Sequence, residues 1–544
     1  MSELALYFHT ARHLRPVQVA ARLWQRVHQP RADLRPAPRR RALSGTYAAP
    51  VAAAPTLLAP ETFRLLNVER RCATAADWQP ADAPRLWTYH LHYFDDLNAR
   101  DSPLRALWHR QLLERWVREN PPGAADGWDP YPLSRRLANW VKWAARGNLL
   151  PPCCDASLAV QARWLSRRLE YQILGNHLLA NAKALLHAGL YFEGPEAERW
   201  YQRGLDIVRG QLHEQVLEDG GHFELSTMYH ALVLEDLLDL INLLRACGRQ
   251  VEGAWYEAVA RMRRWLSAMC HPDGDISFFN DAALGMAATA AELDAYAARL
   301  ELAAPPACAA PLEVLRASGY IRAAAGPACL ICDCAEVGPP YLPGHAHADT
   351  LSFELSLHRQ RVFVNSGVSE YGDQAERQRQ RGTAAHNTVV VDGQNSSETW
   401  RGFRVARRAH ARLIEASAGD GSVSVEASHD GYRRLPGRNR HTRRWRLEQR
   451  SLRIEDRVSG TFRRAEAHLH LHPSIEARSS APGQVALTAG GRDLAAVEFR
   501  GAAAVELAHG SWHPAFGVSS GNRRIVARFT GPVLITEIRW AAPQ

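Results

Sequence analysis

Three histidines stand in two segments that could bring their side chains together. His345 and His347 are two positions apart in GHAHADTLSFEL, and on an extended chain residues two apart project to the same side. Two adjacent imidazoles suit metal binding, or a division of labour between one metal ligand and one acid–base group. His386 stands at the entrance to a third apolar segment, TVVVD. One such histidine is usually structural, but three at neighbouring strand ends indicate a functional site.

Two further pairs of polar residues open strongly apolar helical segments. Asn176 precedes His177 in GNHLLANAKAL, and Tyr229 precedes His230 in STMYHALVLEDLL. Helix capping by Asn176 and Ser226 is the alternative interpretation of these positions. Capping does not explain an Asn–His and a Tyr–His pair in one region, so these amide, phenol and imidazole groups are candidates for acid–base chemistry.

Aromatic and guanidinium groups come together in a third segment, WDPYPLSRR, which contains Trp128, Tyr131 and Arg135. Aromatic faces stack on sugar rings, and the guanidinium fork binds carboxylates in a bidentate manner. The segment therefore has the side chains of a sugar-binding cleft, although each of them could equally pack in a protein core.

The pattern between about residues 100 and 300 is helical. Trp255, Val259, Met262, Leu266 and Met269 recur at spacings of four, three, four and three, which places them on one helix face. The segment ALVLEDLLDLINLLRA is apolar almost all round, which is typical of a helix packed between neighbours. Several such helices joined by short turns predict a helical array or toroid.

After the loop AAPPACAA at residues 303–310, the sequence changes to short runs such as LSFELSL, RVFV and HLHLHPSI. Period-two alternation, interrupted by Gly-Gly, Pro-Gly and Asp-Gly turns, predicts an antiparallel β-sandwich. We therefore predict an α+β multidomain chain. Its expected units are an N-terminal extension at 1–95, a toroid at 96–312 and a β-sandwich at 313–544.

Composition narrows the class of partner. The 544 residues carry a net charge of +9, mostly as arginine, which would suit an acidic partner. A general bias toward arginine is the alternative explanation. No zinc-finger spacing, RNP-like strand or basic region with heptads is found, so nucleic acid is not an expected partner.

The first thirty residues alternate apolar and basic positions and lack the continuous apolar core and cleavage site of a secretory signal. A cytoplasmic location is therefore expected, with a periplasmic one as the alternative. No apolar run approaches the roughly 18 residues that indicate a membrane span. The nine cysteines have no framework spacing, which fits a reducing compartment.

The order of six segments resembles the heparinase II/III-like polysaccharide lyase family. They are GNHLLANAKAL, FELSTMYH, HPDGDISFFND, GHAHADTLSFEL, a strand ending in NSG, and RGTAAHNTVVVDGQNSSETW. The segment WTYHLHYF also resembles members associated with bacterial surface-polysaccharide gene clusters. The resemblance implies an incomplete (α/α) toroid followed by an antiparallel β-sandwich. It also implies a lyase that cleaves an acidic, uronate-containing polysaccharide such as an exopolysaccharide or capsule.

The resemblance also implies roles for individual residues. Asn176 matches the asparagine that neutralises the uronate carboxylate, Tyr229 the tyrosine that acts as acid and in some schemes as base, and His345 the histidine of proton transfer. Because an unperturbed tyrosine has a pKa of about 10, a basic Tyr229 would need nearby positive charge to lower its pKa. The expected substrate-binding residues are Trp128, Tyr131, Arg135, His177, His230 and Arg381.

The resemblance implies a divalent metal, zinc or calcium, bound by His347 and His386. The third position, usually Asp in the family, is occupied by Asn365. An amide oxygen can coordinate a cation but brings no negative charge, so the ion is expected to be held less firmly.

Two other functions remain open at this stage. A glycoside hydrolase needs two carboxylates across the scissile bond, and Glu224, Asp273, Asp275 and Asp281 are available. A non-catalytic polysaccharide-binding protein of an assembly system would keep the cleft without the reaction. Release of an unsaturated uronate distinguishes a lyase from both.

Overall fold

The computed structural model describes residues 3–28, 30–305 and 310–541. Residues 306–309 of the expected loop at 303–310 lie outside this part of the chain. The helices are α1 (Glu3–Ala11), α2 (Pro16–Val27), α3 (Arg85–Leu91), α4 (Ala106–Glu119), α5 (Pro130–Ala145), α6 (Pro152–Ser166), α7 (Gly175–Tyr191), α8 (Pro195–Gln215), α9 (Thr227–Ala246), α10 (Gly253–Ala268), α11 (Ala290–Arg299) and α12 (Ala375–Gln380).

The strands begin with a small antiparallel sheet near the N-terminus and continue in the C-terminal half. They are β1 (Leu57–Ala59), β2 (Thr62–Leu65), β3 (Val68–Arg71), β4 (Leu312–Leu315), β5 (Tyr320–Ala325), β6 (Ala328–Asp333), β7 (Phe353–Leu357), β8 (Gln360–Phe363), β9 (Val389–Val391), β10 (Thr399–Trp400), β11 (Arg404–Val405), β12 (Ala411–Gly419), β13 (Ser422–His429), β14 (Arg440–Glu448), β15 (Ser451–Ser459), β16 (Ala465–His470), β17 (Ile475–Ala481), β18 (Gln484–Ala489), β19 (Arg492–Arg500), β20 (Ala504–Trp512), β21 (Ser520–Phe529) and β22 (Val533–Trp540).

Helices α4 to α11 form the helical half. The face of α10 predicted from Trp255, Val259, Met262 and Leu266 is buried, and almost every residue of α7 and α9 is buried as well. Those two helices are therefore surrounded by protein, as their all-round apolar composition predicts. In residues 3–28, 30–305 and 310–541, no helix is both long and apolar enough to cross a bilayer.

The C-terminal half is built from antiparallel sheets. One has five strands in the order β4-β5-β6-β7-β8, one has four in the order β20-β21-β16-β9, and one has eight in the order β12-β13-β14-β15-β22-β19-β18-β17. Phe353, Trp445 and Ile525, one from each sheet, belong to the same buried core. The predicted combination of a helical half and an antiparallel sheet half is confirmed, while the exact domain limits stay a prediction.

Buried hydrogen bonds tie the two halves together next to the predicted site. Glu354 on β7 accepts hydrogen bonds from His271 Nε2 at 2.9 Å and from the backbone N–H of Phe278 at 3.0 Å. The backbone N–H of Asp281 donates to the carbonyl of His345 at 3.0 Å. The segment after α10 is thereby fixed against the segment that precedes β7.

Candidate active site

Three segments enter the site through left-handed backbone. Leu174 and Gly175 have φ of 71° and 55°, Leu225 has 58° and Asn280 has 56°. A Cβ on Gly175 would lie 2.2 Å from Leu342 Cδ2, so glycine is required there. Non-glycine residues in this conformation are uncommon and concentrate where side chains are held for function. Gly175 and Asn280 directly precede Asn176 and Asp281, and Leu225 precedes Ser226, which caps the helix that carries Tyr229.

Asn176 lies in the first turn of α7. Its backbone N–H donates to Glu224 Oε1 at 3.3 Å, whereas α9 is capped by Ser226, whose Oγ accepts the backbone N–H of Tyr229 at 3.1 Å. Capping therefore accounts for Ser226 but leaves the Asn176 carboxamide unexplained. That carboxamide forms no hydrogen bond with any residue that the structure describes, which leaves it available to a ligand.

Tyr229 and His345 face each other across the two halves of the molecule. Their rings stack with centroids 3.8 Å apart. The hydroxyl of Tyr229 lies 3.0 Å from the hydroxyl of Tyr371, and the Tyr371 ring in turn lies 4.8 Å from the guanidinium carbon of Arg377. The structure thus brings together the two proton-transfer residues expected from the sequence and adds Tyr371, which the sequence analysis missed.

Asp281 is the centre of the site and is completely buried. It accepts hydrogen bonds from His345 Nδ1 and His347 Nε2, both at 2.8 Å, and is bound by both terminal nitrogens of Arg377. Although burial favours the neutral acid, Arg377 and the two histidines hold the pKa of Asp281 well below its usual range. The sequence analysis had considered Asp281 only as one of four possible hydrolase carboxylates.

This arrangement fixes the proton positions on His345. A carboxylate can only accept, so Nδ1 of His345 carries a proton, and in the neutral imidazole Nε2 is then the acceptor. Nε2 lies 3.6 Å from Glu224 Oε2, and this oxygen has no hydrogen-bond partner within the described residues. Burial raises the pKa of Glu224 above its usual value. His345 is therefore set up as a proton acceptor at one edge of the cleft.

The pKa of Tyr229 differs from expectation. Positive neighbours were expected to lower it, but burial raises the pKa of Tyr229 well above its usual value, and the nearby Tyr371 and Asp281 raise it further. Arg377, the nearest guanidinium, is already paired with Asp281. Tyr229 is consequently a neutral phenol in the free protein, which suits it to give a proton rather than to take one.

A pair of imidazoles lies close to His345: His347, which shares Asp281 with His345, contacts His386. Nδ1 of His347 and Nε2 of His386 are 3.2 Å apart, and with Asp349 they form a buried group whose ligand atoms all lie within 4.8 Å of one another. Burial lowers the pKa of His347 to about 4 and that of His386 to about 3. Both are therefore neutral, as metal ligands must be.

Asn365 was expected as the third ligand in this group. Its side-chain oxygen accepts the backbone N–H of Asn387 at 3.1 Å, and its amide nitrogen donates to Ser352 Oγ at 3.4 Å. The carboxylate that the structure places with the two histidines is that of Asp349, and a role for Asn365 as a ligand stays a prediction. In GHAHAD, Asp349 follows His347 by two positions, which was the available sequence signal.

The six expected substrate-binding residues divide into two groups. Tyr131, Arg135 and His177 are partly exposed. The rings of Tyr131 and His177 lie 4.5 Å apart, and His177 Nδ1 is 3.0 Å from Glu170 Oε1. Glu170 raises the pKa of His177 above its usual value, against the opposing effect of burial. These three side chains are open to a ligand.

Trp128, His230 and Arg381 are buried. The Trp128 indole donates to the carbonyl of Asn120 at 3.2 Å, and Arg381 donates to the carbonyl of Ala346 at 2.8 Å. His230 bonds to a carbonyl of α10 at 2.9 Å. The structure therefore places these three inside the protein, where they support the fold, and not at a surface that substrate could reach. Arg381 in particular holds the chain that leads to His345.

A cavity of about 670 Å³ lies along α7 and α9, and Arg135 is the expected substrate-binding residue among those that line it. It is lined by Lys183, Glu235 and Asp236, which follow Asn176 and Tyr229 along the same two helices. Phe516 also lines it, and its ring lies 4.9 Å from the Tyr371 ring. Tyr371, whose hydroxyl lies 3.0 Å from that of Tyr229, thus links the site to a wall of this cavity.

The cations that line this cavity are paired within the protein. Five cationic side chains and four carboxylates line it. Each of the five has a carboxylate within 4.0 Å: Arg64–Glu69 (3.2 Å), Arg100–Glu292 (4.0 Å), Arg135–Asp95 (3.3 Å), Lys142–Asp239 (2.7 Å) and Lys183–Asp236 (2.6 Å). The cavity is therefore polar but nearly balanced in charge.

Comparison with known proteins places this geometry in context. The sequence matches two family models, described as Heparinase II/III N-terminus over residues 155–300 and as Heparinase II/III-like, C-terminal over residues 308–541. A heparin-sulfate lyase of Bacteroides stercoris is 24% identical over 374 residues, which are 59% of this chain and 56% of that protein. One of Pedobacter heparinus is 27% identical over 196 residues, which are 33% and 29%. The alignments thus span about half or less of these relatives.

Solved structures agree with this assignment. A structure of heparinase III has a TM-score of 0.71 at 18% identity and covers 86% of this chain and 79% of that one. A heparan sulfate lyase from Pedobacter heparinus has a TM-score of 0.59 at 18% identity, covering 97% and 88%. These similarities establish a shared fold. Since the two family models match residues 155–300 and 308–541, most of the chain, the resemblance inferred from its motifs is confirmed and the protein belongs to the heparinase II/III-like family.

Proposed function

We propose that the protein is a polysaccharide lyase that cleaves a uronate-containing polymer by β-elimination. The observation that carries this proposal is the pair formed by the Tyr229 phenol and the His345 imidazole, stacked at 3.8 Å and fixed by a fully buried carboxylate. Lyases of heparin sulfate and heparan sulfate among the relatives support the same reaction. The helices are proposed to form the incomplete toroid, and the sheets the β-sandwich, that the sequence predicted.

The proposed reaction begins at C5 of the uronate. The free carboxamide of Asn176 hydrogen-bonds the substrate carboxylate and stabilises the enolate-like charge that develops there. Nε2 of His345 takes the C5 proton, and the electron pair of the C5–H bond forms the C4–C5 double bond. The C4–O4 bond breaks, and the Tyr229 hydroxyl gives its proton to the departing O4. Transfer of the proton from His345 to Tyr229 then restores both groups.

The placement of the carboxylates argues against hydrolysis. Both oxygens of Asp281 are bound by protein donors, and Asp273 is paired with Arg361. Glu224 has a raised pKa but is itself buried, 2% exposed. A glycosidase needs one carboxyl group on each side of the scissile bond, and here Asp281 and Asp273 are both engaged by other residues of the protein.

The charge balance of the cavity indicates the class of polymer. A densely sulfated chain needs cations that are free to bind it, because each sulfate must exchange its water for a charged partner. Here the cations lining the cavity are already paired with carboxylates. We infer a polymer with widely spaced uronates and otherwise uncharged sugars, which is consistent with the expected bacterial exopolysaccharide or capsule.

The group of His347, Asp349 and His386 fits a divalent metal. Its two neutral imidazoles and one carboxylate are donors that zinc prefers, and the bond from His347 to Asp281 is the outer contact that usually orients a ligating histidine. A bound ion would fix the backbone around His345. The expected cytoplasmic location stays a prediction.

The metal proposal is tested by elemental analysis and thermal unfolding. Purified protein is expected to contain about one zinc per chain, and chelation should lower its melting temperature. Asp349→Asn should lower the metal content, while Asn365→Ala should leave it largely unchanged. Equal metal loss in both variants would assign the third ligand to Asn365 as well, and wild-type protein without metal after zinc is supplied would overturn the site.

The lyase proposal is tested on a panel of uronic-acid polysaccharides by following the absorbance of the unsaturated product. Tyr229→Phe should abolish product formation and leave the fold intact. Tyr191→Phe is a matched control, because that hydroxyl bonds Asp155 at the far end of α7 and should leave activity unchanged. Undiminished turnover in Tyr229→Phe would refute the role of this residue. Glycan binding without product from any polymer would instead indicate a non-catalytic binding protein.

The charge preference is tested separately with polymers that share one backbone and differ in sulfation. Unsulfated chains are expected to have the higher kcat/KM. The opposite order, with unsaturated product still formed, would overturn the inference about the cavity while leaving the lyase proposal in place.

A further inference from the structure

Helix α2 is attached to the protein by its polar side. Gln18, its one fully buried residue, donates from Nε2 to the carbonyls of Ile173 and Tyr341, both at 3.3 Å. Two turns later, Gln25 donates to Gln172 at 2.7 Å. Residues 18 and 25 lie on the same helix face. The face that meets the protein is thus a glutamine face, the reverse of an ordinary surface helix.

The apolar side of α2 is directed away from the protein. Five large apolar side chains of this helix are strongly exposed: Val17 (44%), Val19 (45%), Leu23 (58%), Trp24 (58%) and Val27 (79%). Leu4 and Phe8 of the adjoining helix α1 are also exposed, at 81% and 65%. Single exposed apolar residues are common, but several along one helix form a patch that indicates a binding surface.

The charges beside this patch are positive. Arg22 and Arg26 lie on α2, and neither forms an ion pair within the described parts of the chain. Residues 3–28 contain one acidic side chain, Glu3, which bonds Arg401. An apolar helix face flanked by unpaired arginines is complementary to an anionic lipid surface, where the apolar side chains enter the acyl boundary and the guanidinium groups meet phosphates.

We propose that α1 and α2 bind the protein to the surface of an anionic membrane, without crossing it. A second copy of the chain is a less suitable occupant, because pairing two α2 faces would bring the unpaired arginines of both copies together. Gln18 bonds the carbonyl of Ile173, three residues before Asn176, and that of Tyr341, four residues before His345. Membrane binding would therefore hold the entrance of the cleft close to the lipid surface.

The experiment measures co-sedimentation of the full-length protein with vesicles. We expect strong binding to vesicles that contain phosphatidylglycerol, weak binding to pure phosphatidylcholine, and a loss of binding at high salt. Leu23→Ser/Val27→Ser should lower the vesicle partition coefficient about tenfold or more, since each buried apolar side chain contributes about 1.5–3 kcal/mol. Arg22→Gln/Arg26→Gln should lower it roughly thirtyfold, at about 1 kcal/mol for each arginine.

The matched control is Leu107→Ser/Leu149→Ser. These leucines are 66% and 77% exposed and belong to α4 and to the segment between α5 and α6, so their replacement should leave vesicle binding unchanged. Unfolding curves of all variants establish that the fold is retained, and lyase activity on soluble polymer provides a second check. Binding that is indifferent to anionic lipid, or unchanged in both α2 variants, would overturn the proposal. A wild-type dimer that Leu23→Ser/Val27→Ser dissociates would assign the face to a second copy instead.

Discussion

Two fully buried carboxylates organise different parts of this molecule. Asp281 binds His345, His347 and Arg377 between the helical half and the sheets. Asp239, in the middle of α9, binds Lys142 at 2.7 Å and Lys183 at 2.6 Å and accepts the hydroxyl of Tyr296 at 3.0 Å. Both carboxylates are 0% exposed. Burial favours the neutral form of each, yet their cationic partners lower both pKa values.

The two carboxylates, each with the side chains that bind it, form two clusters that differ in the type of those side chains. Two lysines, Lys142 and Lys183, bind Asp239, and Asp236 and Asp239 raise the pKa of Lys183 despite burial. The partners of Asp281 include the imidazoles of His345 and His347, a side-chain type that serves as acid and base in enzymes. His345 is also 12% exposed at the cleft. Asp239 and Asp281 are both buried anions. Asp239 therefore belongs to a fixed network of ion pairs, whereas Asp281 orients a histidine that is proposed to transfer a proton.

Replacing Asp281 with Asn should have the largest effect. The change leaves the buried Arg377 without its partner and removes the acceptor that fixes His345, so we expect a loss of about 3–5 kcal/mol in unfolding free energy. Turnover should fall by at least about a hundredfold, through loss of the orientation of the base. Urea unfolding and the lyase assay measure the two effects.

Asp275→Asn is the control for this change. Asp275 lies in the same segment but is only partly buried, and burial raises its pKa. The Asp275→Asn variant should keep wild-type turnover and should lose no more than about 0.5 kcal/mol in unfolding free energy. Full activity in a folded Asp281→Asn protein would show that Asp281 is as purely structural as Asp239.

Asp239→Asn should destabilise the protein and spare the reaction. Lys142 and Lys183 keep partial compensation from Glu235 and Asp236, so the expected loss is smaller, about 2–3 kcal/mol. The protein that remains folded should keep a wild-type kcat. A large fall in kcat with normal stability would mean that the lysine network acts directly on substrate.

The contrast between the clusters was only partly predictable from sequence. Local patterns predicted the helical and sheet halves, because helix faces and strand alternation are read from neighbouring residues. The motifs indicated His345 and Tyr229, and the structure stacks them. Asp281 was harder to identify because its partners lie 64 to 96 positions away, and only the packing of both halves joins them.

Burial explains the remaining differences. Trp128 and Arg381 have the side chains of a sugar site, but sequence does not reveal that both are enclosed by protein. The same applies to the pKa of Tyr229: nearby arginine was expected to lower it, yet Arg377 is neutralised by Asp281 and desolvation raises it. Conversely, the arginine and apolar pattern of α2 was visible in the sequence, but not which side of the helix faces the protein.

The Asp239 region should show its own pH dependence through a neighbouring histidine. Burial, together with the charge of Lys183, lowers the pKa of His187 to about 3. The unfolded chain takes up a proton near pH 6.5 and the folded one does not, so the stabilising contribution is complete above pH 6.5 and is lost as the pH falls toward 3. Over this range the unfolding free energy falls by about 1.4 kcal/mol for each pH unit. His187→Leu should reduce the slope of unfolding free energy against pH by about one proton. An unchanged slope would contradict a neutral buried His187.

The smallest and most direct comparison removes one hydroxyl beside each cluster. Tyr296→Phe deletes the bond to Asp239 and should cost about 1 kcal/mol in stability with unchanged turnover. Tyr371→Phe deletes the hydroxyl that lies 3.0 Å from Tyr229. We expect little change in stability there, because Tyr371 is partly exposed. Turnover should fall roughly tenfold, since one hydrogen bond to the proposed acid is worth about 1.4 kcal/mol in the transition state. If both variants changed stability and kcat equally, the surroundings of Asp239 and Asp281 would respond alike to the loss of one hydroxyl. That result would contradict the distinction between a structural and a catalytic carboxylate.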